Sequence, residues 1–243
     1  MGTGERRAVN GVRRAPAPSG DTPLQAAPRG TKEGTPGGPH AQRRGVFLVV
    51  EGIDGSGKSD QARFLADWLE ERGLEAVRTR EPTDGSWGRR FRSWASGGSE
   101  ATPEEVLEFF LEDRAEHVEQ VIRPALEAGK VVVCDRYTPS TLAYQAAHGV
   151  DRGTLAARIR ERAFPEPDLV IWLRVPVAAA LARKGEQATE RYEKRRFLER
   201  ADAEYARLEL REVCGTGKRE EVAVRIREHV VPLLEKRGFL RGE

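Results

Sequence analysis

Val46-Phe47-Leu48-Val49-Val50-Glu51-Gly52-Ile53-Asp54-Gly55-Ser56-Gly57-Lys58-Ser59 decides how this chain folds. Val46–Val50 is an unbroken apolar run, as expected of a strand buried on both faces. The run from Gly52 to Ser59 then has the spacing of a glycine-rich phosphate loop, and Ala62, Leu65, Ala66 and Leu69 recur at helical period behind it. The spacing is a chemical requirement. Glycines let successive backbone N–H groups curl round phosphates, and the loop delivers them to the positive N-terminus of a helix. Lys58 is placed to neutralise phosphate charge and Ser59 to hold Mg²⁺, so Gly52, Ile53, Asp54, Gly55, Ser56, Gly57, Lys58 and Ser59 are expected to bind a nucleoside triphosphate. Gly73 stands where the C-terminal cap of that helix belongs.

Outward from this point, strand-like runs at Val46–Val50, Glu75–Thr79, Val131–Cys134 and Leu169–Val175 alternate with helical patterns, which predicts an α/β fold with a parallel sheet. A fifth strand near Leu210–Val213 is weak, because Arg211 and Glu212 dilute it. Helices are expected over about 58–72, 103–128, 139–148, 152–163, 176–184, 192–209 and 219–237. In open parallel sheets ligands gather outside the carboxyl ends of the strands. There the sequence places the phosphate loop, then Arg80-Glu81-Pro82, then Asp135-Arg136-Tyr137. Arginines suit bidentate phosphate binding, and a carboxylate suits Mg²⁺ or its waters.

Arg114 falls in the middle of an apolar stripe formed by Leu107, Phe110, Leu111, Val118, Val121, Ile122 and Ala125. A guanidinium on such a face needs a partner, either a buried carboxylate or a ligand. Phe110 lies one turn earlier, so a ring and a planar donor would project together, a pairing suited to a nucleobase. The polar segment 183–193 reads either as a mobile cationic lid or as a solvated connection.

Residues 1–44 contain Pro16, Pro18, Pro23, Pro28, Pro36 and Pro39 and lack apolar periodicity, so they are expected to form a disordered arm ahead of a single domain over 45–243. Eight cationic side chains against three acidic ones give the arm a formal +5, leaving −3 for the rest of a chain whose total is +2. Nucleic-acid binding through the arm is a weaker reading than a bland tail. The chain has no signal-peptide core and no membrane-length apolar run, and Cys134 and Cys214 are isolated, which together fit a cytoplasmic protein. His40, His117, His148 and His229 are scattered without ligand spacing.

Taken in order, Glu51-Gly52-Ile53-Asp54-Gly55-Ser56-Gly57-Lys58-Ser59, Thr79-Arg80-Glu81-Pro82, Phe110-x-x-Asp113-Arg114, Asp135-Arg136-Tyr137 with Ser140 and Ala143-Tyr144-Gln145, and Glu190-Arg191-Tyr192-Glu193 resemble the thymidylate kinases, over about 45–240. The resemblance implies a P-loop NTPase fold with a five-stranded parallel sheet, a short helical lid, and usually a homodimer. It implies phosphoryl transfer from ATP to dTMP. Asp54 would meet the acceptor's deoxyribose, Arg80 and Arg136 its phosphate, Phe110 and Arg114 its base. Ser140, Tyr144 and Gln145 would line its pocket, and Asp135 would serve the metal.

Three departures from the family pattern stand out. Gly55 replaces the loop arginine of some members, which shifts the catalytic cation to the lid; Arg183 or Lys184 would reach the transferring phosphoryl and Arg191 would help hold ATP. Asp60 replaces a common threonine or serine, and Cys214-Gly215-Thr216-Gly217 replaces an Asp-containing segment near the donor base. The competing readings are a kinase of the same fold with another phosphorylated acceptor, and a non-catalytic nucleotide-binding protein with a nucleic-acid-binding arm.

Overall fold

The computed structural model describes residues 44–184 and 195–241. A parallel sheet of five strands forms its centre, in the order β2-β3-β1-β4-β5. The strands are β1 (Val46–Glu51), β2 (Ala76–Arg80), β3 (Val131–Asp135), β4 (Leu169–Arg174) and β5 (Arg211–Cys214). Every residue of β1 and β3 is buried, as expected of central strands covered by helices on both faces. The expected fifth strand is present. It is an edge strand in which only Val213 is buried, while Glu212 meets Arg174 of β4 at 3.1 Å, so the charges that dilute its pattern lie on its exposed side.

The register aligns the chemistry. Val50 of β1 and Arg80 of β2 both pair with Asp135 of β3, which brings three strand ends to one rim. Helix α1 (Lys58–Glu70) starts directly from the phosphate loop and packs Ala62, Leu65, Ala66 and Leu69 into the core between the sheet and the last helix, α9 (Arg219–Lys236).

Helix α2 (Ser86–Ala95) has no counterpart among the sequence-predicted helices. Trp87, Phe91 and Trp94 do recur at helical spacing, but Gly88 and three arginines break the apolar pattern. Gly88 is needed because a Cβ there would stand 2.0 Å from the Thr83 carbonyl oxygen. The predicted helix over 103–128 forms as α3 (Pro103–His117), a π turn over Val118–Ile122, and α4 (Arg123–Glu127). Its start is set by a capping box, Glu105 N–H donating to Thr102 Oγ1 at 3.2 Å and Thr102 N–H to Glu105 Oε2 at 2.8 Å, with Pro103 in the first turn. The remaining helices are α5 (Thr138–Ala147), α6 (Arg152–Glu161), α7 (Val177–Lys184) and α8 (Arg195–Tyr205). All lie within a few residues of expectation. Residues 1–43 of the expected arm and residues 185–194 of the expected lid, Arg191 included, lie outside the described residues, as does the side chain of Lys184.

Candidate active site

The phosphate loop curls as its sequence requires. Gly52, Gly55 and Gly57 adopt positive φ, and Gly57, at 94°, is the cap position from which α1 departs. Lys58 Nζ lies 3.3 Å from Asp54 Oδ1 and 3.5 Å from the Ile53 carbonyl oxygen. Burial, and next the charge of Arg136, lower the pKa of the Lys58 ammonium, while Asp54 and Asp135 oppose the shift.

Gly55 stands where a loop arginine would otherwise be, and α7 explains why. A Cβ at Gly55 would lie 2.2 Å from the Ala180 carbonyl oxygen, and its φ of 82° disfavours any side chain.

A cavity of about 380 Å³ opens on the outer side of the loop, walled by Gly55, Ser56, Gly57, Gly215 and Arg219. Arg183 also lines it, donating from Nη1 to the Ser56 carbonyl at 2.9 Å and from Nη2 to the Gly215 carbonyl at 3.0 Å. Its guanidinium thus fastens the phosphate loop to the Cys214-Gly215-Thr216-Gly217 turn. Asp60 faces Arg219 at 3.4 Å at this cavity, so the extra carboxylate has a neutralising partner.

A second cavity, of about 430 Å³, holds Ser59, Arg80 and Asp135. The Ser59 hydroxyl donates to Asp135 Oδ2, while Asp135 Oδ1 is buried with no hydrogen-bond partner among the described residues. A serine oxygen beside an unsatisfied carboxylate oxygen suits a hard divalent cation that takes its remaining ligands from phosphates and water. No cluster of three or more His, Cys, Asp or Glu able to hold a metal occurs among the described residues. Arg80 is largely exposed and pairs with Asp84 at 3.1 Å.

The third part is built around Arg136. Arg136 has a left-handed backbone, φ 74°, a costly conformation for a non-glycine residue, secured by its N–H to the Val50 carbonyl at 3.0 Å. The turn aims its guanidinium back over the loop, where Nη2 donates to Asp54 Oδ1 and to Tyr144 Oη (3.2 Å) and Nη1 to Ser140 Oγ (3.0 Å). Asp54 therefore sits between two cations, Lys58 and Arg136. Asp54, Phe110, Arg136, Ser140 and Tyr144, all expected acceptor-site residues, line one cavity of about 80 Å³. Gln145, although expected with them, is fully buried and does not line it. Phe110 rests against Phe91 with ring centroids 4.6 Å apart, so the unexpected helix α2 supports the aromatic wall.

Arg114 does not line this cavity, and of its two anticipated partners the structure supplies the carboxylate. It is 1% exposed and donates from Nε and Nη2 to Glu81 Oε2 at 2.9 and 2.6 Å, and from Nη2 to Thr141 Oγ1 at 2.9 Å. Nη1 has no partner among the described residues.

Other residues had no role assigned from sequence. Glu51, fully buried, accepts from the backbone N–H groups of Tyr137 and Ser140 at 2.7 and 3.1 Å and from the hydroxyls of Ser140 and Tyr205 at 2.6 and 2.8 Å. It clamps the start of α5 and hence the turn that carries Arg136. Burial raises its pKa, against the opposing effect of the Ser140 hydrogen bond and then of Arg136. An acidic residue ending an apolar strand was a readable signal, since a buried carboxylate must find donors. Tyr205, 154 residues away, carried none.

A phosphate loop feeding a helix, with lysine, arginines and carboxylates gathered at the ends of a parallel sheet, defines a P-loop phosphotransferase site. Comparison with known proteins narrows the class. The thymidylate kinase family model matches residues 50–215. Thymidylate kinase from Akkermansia muciniphila is 43% identical over 192 residues, covering 77% of this chain and 92% of the relative. The Desulfotalea psychrophila thymidylate kinase is 41% identical over 160 residues (64% and 78%), and a probable thymidylate kinase from Pyrococcus horikoshii is 48% identical over 146 (58% and 70%). The chain belongs to the thymidylate kinase family.

Proposed function

We propose that the protein transfers the γ-phosphoryl group of ATP to dTMP, giving ADP and dTDP. The observation that carries this reading is the charged knot of Lys58, Asp54 and Arg136 on a loop that serves two cavities: Gly55–Gly57 wall the larger, Asp54 the smaller. The larger suits the donor and the smaller the acceptor. An oxygen of the acceptor phosphate attacks the γ-phosphorus, a new P–O bond forms, and the bond to the β-phosphate oxygen breaks. No general base is required, because the attacking phosphate is already an anion; positioning and charge neutralisation supply the catalysis.

In this scheme Lys58 neutralises the donor phosphates and Arg136 holds the acceptor phosphate, with Arg80 reaching it once released from Asp84. Phe110 stacks on the base, and Asp54 and Tyr144 face the sugar. Ser59 and Asp135 would hold Mg²⁺, which when bound screens the β- and γ-phosphate oxygens. The position of Arg183 supports a role in the donor pocket. Lys184 and Arg191 are the remaining lid candidates, for the transferring phosphoryl and for ATP. A homodimer is the state the family resemblance implies. The unpaired Cys134 and Cys214 support a cytoplasmic setting, and no described helix is long and apolar enough to cross a membrane.

The deciding assay is ADP release with ATP, Mg²⁺ and each of dTMP, dUMP, UMP, CMP and AMP. Turnover is expected with dTMP and, more weakly, dUMP; ATP binding without turnover of any acceptor would overturn the reading. Arg183→Ala is expected to raise the KM for ATP about tenfold with little change in kcat, since it removes charge-assisted bonds that shape the donor pocket. A fall in kcat of about a hundredfold at saturating ATP would instead put Arg183 on the transferring phosphoryl.

A further inference from the structure

His117 lies one turn beyond Arg114 on α3 and is 3% exposed. Its Nδ1 is 3.0 Å from Glu81 Oε1, the oxygen that Arg114 does not use, and its Nε2 is 2.6 Å from the Thr79 hydroxyl. A carboxylate oxygen can only accept, so Nδ1 carries the proton. Glu81 is thereby held at both oxygens, by His117 at Oε1 and by Arg114 at Oε2, so its position fixes the point to which the Arg114 guanidinium is anchored. Tyr137 and Phe164 confine that guanidinium further, with centroids 4.8 and 5.5 Å from it. The consequence is at Nη1: with Nε and Nη2 consumed by Glu81 and Thr141, it is the one terminal nitrogen of Arg114 left without a hydrogen-bond partner among the described residues, a buried donor that an acceptor base would satisfy.

We infer that His117 is a positioning residue for acceptor recognition, acting through Glu81 to set the direction of Arg114 Nη1, with Thr79 fixing the rotation of the imidazole. This role rests on the proposed dTMP kinase reading and on the contact of Arg114 with the acceptor's base that the family resemblance implies. Thr79 on the edge strand, Glu81 just after it and two positions on α3 thus form one relay, Thr79–His117–Glu81–Arg114, whose last three members are buried. Helix α3 passes into its π turn at Val118, directly after His117, a type of irregularity often found beside functional residues.

The test compares His117→Ala, His117→Asn and Thr79→Val in steady-state kinetics, with melting curves for each. Asparagine can present an amide N–H near the position of Nδ1–H. Alanine at 117 is expected to raise the KM for dTMP about tenfold, the effect of losing one hydrogen bond to a charged group, while kcat and the KM for ATP stay within about twofold. Asparagine is expected to recover most of that loss, and Thr79→Val to raise the dTMP KM about threefold. An unchanged dTMP KM in the alanine variant, equal damage to the KM for ATP, or no recovery with asparagine would each overturn the role. Should the alanine variant fail to fold, Thr79→Val alone decides, an unchanged acceptor KM counting against the role. Absence of dTMP turnover in the unsubstituted protein would strike at the proposed substrate; the same comparisons are then read with whichever acceptor of the panel is phosphorylated.

Discussion

Arg136→Ala is expected to lower turnover with dTMP by about 10³-fold or more, while the melting temperature moves by only a few degrees. The figure rests on the proposed hold of Arg136 on the attacking phosphate: an arginine that neutralises charge at the transfer site contributes on the order of 10³ to 10⁵ in kcat. This arginine is unusually well prepared for that task. Its backbone sits in a strained left-handed conformation, its two terminal nitrogens are directed by Asp54, Ser140 and Tyr144, and its guanidinium lies 4.8 Å from the centroid of the Tyr144 ring. Orientation is therefore complete before substrate arrives. Lysine at this position should not restore turnover, because a single ammonium cannot span both Asp54 and Ser140. Fold stability is less exposed, since Asp54 would keep Lys58 as its counter-ion and Glu51 would still hold the turn through Tyr137 N–H and Ser140 N–H. Single-turnover measurements at saturating ATP and dTMP provide the check. A loss smaller than about tenfold would exclude Arg136 from the transfer step.

Glu81→Ala should damage the fold as much as the activity. Its carboxylate is buried and balances Arg114, so its removal strands a fully buried guanidinium, and breaking such a pair costs about 3–5 kcal/mol. Stabilities of domains are about 5–15 kcal/mol, so this is a large fraction of the total. For a body of this size the corresponding fall in melting temperature is about 10 °C or more. Arg114→Ala should cost a similar amount, because Glu81 then keeps only His117 as a donor. The pair Glu81→Leu with Arg114→Met should recover much of the stability, since apolar replacements of a buried ion pair are often tolerated, yet acceptor binding should stay weak without the Nη1 donor. Chemical denaturation of all three proteins measures this directly. Single variants within about 1 kcal/mol of the parent would mean that the pair is not dry in solution, and recovery of dTMP affinity in the double variant would remove Arg114 from base recognition.

Both expectations depend on features of unequal visibility in the chain. Lys58, Ser59 and Asp54 could be placed because strand, loop and helix signals are local, an apolar run, glycines and a helix start all falling within about fifteen residues, and Asp135 and Arg136 because they end another apolar run, Val131–Cys134. Even the weak fifth strand was readable, although its pattern is diluted by charges that an edge strand leaves in water. Helix α2 was not, because its glycine answers to the Thr83 carbonyl and its arginines to solvent and Asp84, a backbone packing and a surface pairing that break the apolar periodicity.

The sequence by itself determined the class of fold, the glycine-rich loop and the list of charged residues at the strand ends, because backbone conformation and apolar periodicity are written over short windows. Only the tertiary structure decided how those charges are divided. Asp54 is shared between Lys58 and Arg136, Glu51 clamps α5 with help from distant Tyr205, Arg183 is spent on loop carbonyls, and Arg114 is paired with Glu81 and leaves one nitrogen unused. The physical reason is that a buried charge takes whichever partner the packing brings within about 3 Å, and that choice is made by elements tens of residues apart.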